Sequence, residues 1–341
     1  MTTATVMELP GVGEPETLTA RTTTLPEPGP TEARVRVEAT GISFAEQQMR
    51  RGRYYDQPPF PFVPGYDLVG IVEALGGPPA RLEVGQRVAA LTKVGGWAQR
   101  VVLDVRDLVA VPAEVSAQAA ETVVVNGVTA WRMLHRTAKV QRGQTIVVLG
   151  AAGGVGSTLT QLARHAGIRV IGVAGTRQQP AVEALGAIAV DYRTEDVAAR
   201  VRALAPEGVA AVFDHVGGPG IVDSWRMLGN GGRLVCYGTA STKDQPGNPR
   251  LPVLKLIARL TAWNLAPNGR HAGFFNLWAG HKRHRDWYRT QLREDLGRVL
   301  DLLASGEISP QIAATYPLTQ AGAALRKAEE GGLTGKIILV P

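Results

Sequence analysis

The chain has 341 residues, 45% hydrophobic and 20% charged, a balance that builds a buried core and excludes a disordered chain. Its net charge of +7 leaves room for an anionic partner, but no recognition motif accompanies the arginines, so no nucleic-acid partner is expected. The single cysteine, Cys236, excludes an intrachain disulfide and a cysteine-based metal cluster. Neither a signal-peptide pattern at Met1–Val6 nor a run of about 18 apolar residues is present, so a soluble, cytoplasmic protein with no membrane span is expected.

The first 110 residues read as β-rich. Arg34–Ala39 alternates polar and apolar residues with period two, the mark of a half-buried strand. Leu68–Ala74, Arg87–Leu91 and Gln99–Leu103 are further strands, separated by turn-rich stretches such as Pro58–Pro61 and Gly76–Pro79. After Val123 the rhythm changes. Thr145–Gly150 is a continuous apolar strand of the parallel-sheet type, followed by a helix at Val155–Ala166 and a strand at Arg169–Val173. Helices at Ala181–Leu185, Glu195–Leu204 and Val222–Leu228 then alternate with strands at Ala187–Asp191, Val209–Val216 and Arg233–Tyr237. Repeated βαβ units of this size predict a parallel sheet with helices on both faces.

Residues 239–269 interrupt the alternation, with a polar stretch at Thr242–Pro249 and an apolar one at Leu251–Leu260. His271–Leu277 reads as one more strand. Asp286–Ala304 is an amphipathic helix, with Leu292, Leu296, Val299, Leu300 and Leu303 at helical spacing. The basic run His281–Arg285, with Trp287 and Tyr288 behind it, reads as the solvated start of that helix. A helix at Ala321–Glu330 and a strand at Lys336–Val340 close the chain.

The sharpest local signal is Gly150-Ala151-Ala152-Gly153-Gly154-Val155-Gly156, directly after a buried strand and opening a helix. Small residues let the backbone approach a pyrophosphate, and the N–H groups and positive dipole end of the helix stabilise its charge. Gly156 permits close packing of helix on sheet. Ala151 stands where the usual motif has its first glycine. The next strand selects the nicotinamide cofactor. It ends in Val173-Ala174-Gly175-Thr176-Arg177, without the acid that would bind a ribose 2′-hydroxyl, whereas Thr176 and Arg177 suit a 2′-phosphate. NADPH is the expected cofactor.

These residues, together with Gly41-Ile42-Ser43-Phe44, Gly65-Tyr66-Asp67-Leu68-Val69-Gly70, Asn126-Gly127-Val128-Thr129-Ala130, Asp191-Tyr192-Arg193 and Gly335-Lys336-Ile337-Ile338, resemble the zinc-independent quinone oxidoreductase (zeta-crystallin-like) family of the medium-chain dehydrogenase/reductase superfamily. The resemblance runs in order over nearly the whole chain. It implies an α/β fold, with a GroES-like β-rich catalytic domain formed by 1–123 and 279–341 and a Rossmann doubly wound parallel-sheet NADP-binding domain at 124–278. It also implies a homodimer joined through the last Rossmann strand, His271–Leu277.

By the same resemblance the cofactor contacts are Ser43, Asn126, Thr129, Ala152, Gly153, Gly154, Val155, Gly156, Thr176, Arg177, Tyr192, Val216 and Gly238. The zinc-dependent branch places cysteine and histidine where this chain has Ser43 and Tyr66, so no metal is expected. Relatives often carry a lysine where Gln179 stands, an asparagine at Ser43 and a tyrosine at Gln48. Tyr54 and Tyr55, in the loop the resemblance turns toward the nicotinamide, are the candidate proton donors, with Glu46 a further polar candidate. The implied reaction is hydride transfer from NADPH to a quinone or an α,β-unsaturated carbonyl. A dedicated enoyl-thioester or biosynthetic reductase and a non-catalytic NADPH-binding structural or regulatory protein are the open alternatives.

Overall fold

In β3 (Glu32–Ile42), which follows β1 (Thr2–Glu8) and β2 (Thr19–Leu25), Ala33, Val35, Val37 and Ala39 turn inward while Arg34, Arg36 and Glu38 turn outward. The outward row pairs across the sheet, with Arg34 3.4 Å from Glu73 and Glu38 2.9 Å from Arg87. This computed structural model describes residues 2–78, 81–242, 247–248 and 250–341. Met1, the end of the Gly76–Pro79 turn and most of Thr242–Pro249 thus lie outside the described residues.

The chain divides into two compact units, Met1–Val128 with Gly280–Pro341, and Thr129–Ala279. In the first, a helix α1 (Phe44–Arg50) follows β3 and leads to β4 (Asp67–Leu75), β5 (Arg87–Leu91), β6 (Arg100–Asp104), β7 (Val109–Ala110) and α2 (Ala117–Trp131). β3 and β4 pair antiparallel, and Val35, Val37, Leu68, Val72, Val88 and Ala90 join one apolar core between the strands.

In the second unit β8 (Thr145–Leu149), α3 (Gly154–His165), β9 (Arg169–Ala174), α4 (Gln179–Ala184), β10 (Ile188–Asp191), α5 (Val197–Leu204), β11 (Val209–Asp214), α6 (Ile221–Arg226), β12 (Leu228–Cys236), α7 (Arg250–Trp263) and β13 (His271–Phe274) follow in order. The six strands form a parallel sheet in the order β10-β9-β8-β11-β12-β13. Ile146, Val147 and Val148 are all fully buried, as a strand covered on both faces requires. The chain then returns to the first unit through α8 (Arg285–Ala304), β14 (Ile312–Pro317), α9 (Ala321–Glu330) and β15 (Lys336–Val340). β15 pairs with β3, completing a seven-stranded sheet.

Several elements depart from the sequence reading. The β-rich N-terminal region holds α1, whose signal is local: Ser43 and Glu46 form a capping box. α2 begins at Ala117, before the expected change of rhythm, and continues into a π-helical stretch at Arg132–Ala138 that ends at Lys139 with φ 52°. The strand expected at His271–Leu277 ends at Phe274, where pairing to β12 stops. β14 carries no clear alternation, and it forms because β15 offers it an edge.

Candidate functional site

The second unit gathers its candidate residues at the carboxyl ends of the parallel strands. With the order β10-β9-β8-β11-β12-β13, connections depart in opposite directions from β8, the place where such sheets bind ligands. Gly150 leaves β8 with φ 69°, and a Cβ there would meet the His215 ring, its Nδ1 at 3.1 Å. A Cβ on Gly156 would fall on the Gly150 carbonyl, 2.8 Å from its carbon. Both positions therefore demand glycine. Gly153 caps α3 without any side-chain hydrogen bond, leaving first-turn N–H groups for a ligand.

Ala151 and Ala152 are buried beneath the loop. On β9 a Cβ on Gly172 would lie 2.6 Å from Val182 Cγ1 and 3.0 Å from the Ala151 methyl, so Ala151 packs against a glycine there.

Thr176, Arg177 and Tyr192 are exposed around the adjoining ends of β9 and β10. Tyr192 N–H donates to the Ala174 carbonyl at 3.3 Å, and the Arg193 guanidinium lies 5.8 Å from the Tyr192 ring centroid. Asp191 accepts from Arg193 N–H at 2.9 Å, and the Thr176 hydroxyl together with that N–H holds its carboxyl below the usual range. The acid is thus already engaged. Gln179 Nε2 donates to the Ala174 carbonyl at 2.9 Å, so its role is to fasten the end of β9.

At the end of β11, Asp214 accepts from Val216 N–H and Gly217 N–H, each at 2.8 Å, and from Ser224 Oγ at 2.7 Å. This fixes the turn carrying His215 and Val216. His215 Nδ1 lies 3.1 Å from the Leu149 carbonyl, and burial pulls its pKa down, which keeps the ring neutral. A Cβ on Gly238 would meet the His215 carbonyl at 2.7 Å, so Val216, Gly238 and His215 share one corner. The sequence reading did not single out His215 or Arg193, which the structure brings to the ends of these strands. The signal for His215 was its position one residue past a buried strand, beside the glycine loop that only the sheet order reveals.

In the first unit Ser43 caps α1. Glu46 accepts from Ser43 N–H at 2.8 Å and from the Ser43 hydroxyl through Oε2, and from Tyr66 N–H at 2.7 Å through Oε1. Glu46 is buried, and burial first, then the Asp67 charge, raises its pKa. This glutamate serves the cap, so its carboxylate is spent within the unit. The Tyr54 hydroxyl is 2.9 Å from that of Tyr66, and the Tyr54 and Tyr55 rings pack with centroids 4.7 Å apart. Burial drives Tyr54 far above the ordinary phenol range. Burial raises Tyr55 as well, but its hydrogen bond from Tyr54 opposes the shift.

Gln48 is buried, and among the described residues its Nε2 has no hydrogen-bond partner. On α2, Asn126 is buried and donates to the Thr122 carbonyl at 3.0 Å, while Thr129, also buried, belongs to the second unit. Asp67, Glu121 and Lys336 form a further buried cluster: the ammonium lies 2.7 Å from both carboxylates.

Two family models match the chain, the alcohol dehydrogenase GroES-like domain over residues 29–113 and the zinc-binding dehydrogenase model over 185–339. The human synaptic vesicle membrane protein VAT-1 homolog is 30% identical over 335 residues, covering 95% of this chain and 82% of that protein. A quinone oxidoreductase from Pseudomonas syringae pv. tomato superposes with a TM-score of 0.85 at 29% identity, covering 99% of this chain and 100% of that one. This chain belongs to the quinone oxidoreductase family of the medium-chain dehydrogenase/reductase superfamily. Another structure similar to this quinone oxidoreductase family member is a mycobacterial protein solved in complex with NADPH, with 29% identity, a TM-score of 0.83, and coverage of 99% and 100%. Among the described residues of the family member, no group of three or more His, Cys, Asp or Glu is placed to hold a metal ion. Among the same residues, no helix is long and apolar enough to cross a membrane.

Proposed function

We propose that this protein is a zinc-independent, NADPH-dependent reductase that delivers hydride to a quinone or an α,β-unsaturated carbonyl. The observation that carries the reading is the glycine cradle at the end of β8, which only Gly150 and Gly156 can form, with Thr176, Arg177 and Arg193 beyond it. The mycobacterial relative solved with NADPH supports the same cofactor. When bound, NADPH supplies a hydride from its nicotinamide ring.

On this reading Ala152, Gly153, Gly154, Val155 and Gly156 receive the pyrophosphate, and Tyr192 flanks the adenosine. Ser43, Asn126, Thr129, Val216 and Gly238 complete the cofactor contacts. Arg177 and Arg193 bind the 2′-phosphate by charge-assisted hydrogen bonds. Tyr55 gives a proton to the oxygen that becomes negative after hydride attack. Tyr54 positions it, because a hydrogen bond from Tyr54 stabilises the Tyr55 phenolate left behind. Zinc-independence is favoured by Ser43 and Tyr66, whose hydroxyl side chains stand where the zinc-dependent branch has its cysteine and histidine ligands. β13, at the sheet edge, is the seam of the proposed homodimer.

The deciding assay follows NADPH and NADH oxidation at 340 nm with quinones, enones and enoyl thioesters. Turnover that prefers NADPH on a quinone or enone is the expected result. NADPH binding without turnover on any acceptor would overturn the reductase reading.

Two mutant results are expected with it. Arg177→Ala raises KM for NADPH about ten-fold, the loss of one hydrogen bond to a charged group, and leaves KM for NADH unchanged. Tyr55→Phe lowers kcat about 100-fold, the loss of a general acid, whereas Tyr54→Phe lowers it by less than about ten-fold. Equal loss in both tyrosine variants would assign them a shared packing role instead.

A further inference from the structure

A cavity of about 380 Å³ lies wholly in the first unit, against α8, and falls within the range of roughly 300–1,000 Å³ that small-molecule sites occupy. Its walls are apolar in part, from Pro30, Leu75, Leu82 and Val105. Four arginines also line it, Arg81, Arg106, Arg289 and Arg293, against two carboxylates, Glu32 and Asp286.

The charges do not balance. Arg289, with its side chain only 4% exposed, is held by Asp107 at 2.7 Å and by Asp104 at 3.1 Å. Arg106 lies 2.6 Å from Asp104, and Arg285 takes the remaining reach of Asp107 at 3.1 Å. Each of those three cations has a carboxylate partner, though they share only Asp104 and Asp107. Glu32 turns its carboxylate onto Gly29 N–H at 2.9 Å, and Asp286 sits in solvent, 3.7 Å from Arg289. Among the described residues, no hydrogen bond or ion pair engages Arg81 or Arg293.

Arg293 is half-buried, and its burial together with the neighbouring Arg81 and Arg289 charges pulls its pKa down. An unmatched cation so placed favours any anion that can share the cavity. A bare inorganic ion would leave the apolar wall unused.

We infer that this cavity binds an amphipathic organic anion, its carboxylate or phosphate paired with Arg293 and Arg81 and its apolar body lying against Leu75, Leu82 and Val105. The site is separate from the residues assigned to cofactor and proton transfer, so it stands or falls independently of the proposed reaction.

The test is isothermal titration of the full-length protein with octanoate, octyl phosphate and 1-octanol, with and without saturating NADPH. It is repeated on Arg293→Gln and Arg81→Gln, with circular dichroism melts confirming that both variants fold. Octanoate or octyl phosphate is expected to bind at least ten-fold tighter than octanol, equally with NADPH present, and to lose at least ten-fold in Arg293→Gln. The tighter of the two anions names the head group. No anion binding, octanol binding as tightly as the anions, or unchanged affinity in Arg293→Gln would overturn the inference. So would displacement of the anion by NADPH.

Discussion

Replacing Lys336 with methionine is expected to cost about 4 kcal/mol of stability, because it leaves two buried carboxyl groups without their cation. The ammonium sits 2.7 Å from Asp67 and 2.7 Å from Glu121, with side-chain exposures of 2%, 0% and 0%. Asp67 also accepts from Val125 N–H at 2.8 Å, so the cluster ties β15, β4 and α2 together. At a few degrees per kcal/mol for a chain of this size, the thermal midpoint should fall on the order of 10 °C. A fall of less than a couple of degrees in a calorimetric scan would mean that the cluster does not fasten these elements together.

The same cluster sets a pH dependence. Burial first, then the Asp67 charge, raises Glu121 well above its ordinary value of 4.5. Native Glu121 therefore keeps a proton over a range where the unfolded chain has lost it. Stability accordingly falls as pH rises from about 4.5 toward the native value. Denaturant titrations across that window should show a shallower slope in Glu121→Gln than in the native sequence.

Gly156→Ala is expected to raise the Kd for NADPH by about 100-fold and to destabilise the second unit by roughly 3 kcal/mol. The new methyl would fall on the Gly150 carbonyl and lie 2.9 Å from the Ala151 Cα. Both contacts are with backbone, which cannot swing aside as a side chain can. Relief requires α3 to lift from β8, moving the N–H groups proposed to receive the pyrophosphate. Gly153→Ala is the matched control for stability, because a Cβ there lies 3.4 Å from the Gly150 carbonyl, an ordinary contact. Thermal melts separate the two variants, and equal losses of stability in both would contradict the geometry.

Much of this architecture could be read directly from the residues. The buried run at β8, the βαβ alternation and the glycine loop identify themselves because their periods and spacings are local properties of the chain. The family resemblance, carried by motifs spread from Gly41 to Lys336, placed the two-domain α/β fold on the same footing. α1 was legible in principle, since Ser43 and Glu46 stand at capping-box spacing, yet that short signal was lost among strands. β14 was not legible at all, because it owes its conformation to the β15 edge beside it.

The candidate site divides in the same way. Glycine positions, the missing acid after β9 and the absence of zinc-ligand residues at Ser43 and Tyr66 are sequence properties, since each depends on residue identity at a fixed offset from a strand. Which polar groups are available was decided by tertiary structure alone. Glu46 is consumed by the Ser43 cap and Tyr66 N–H, Gln179 by a backbone carbonyl, and Asp191 by Arg193 and Thr176, while Arg193 reaches the Tyr192 ring. His215 enters the glycine loop because β11 lies beside β8, some 60 residues away in the chain. A sequence determines which atoms exist and their local periodicity; the pairing of distant strands determines which of those atoms remain free to meet a ligand.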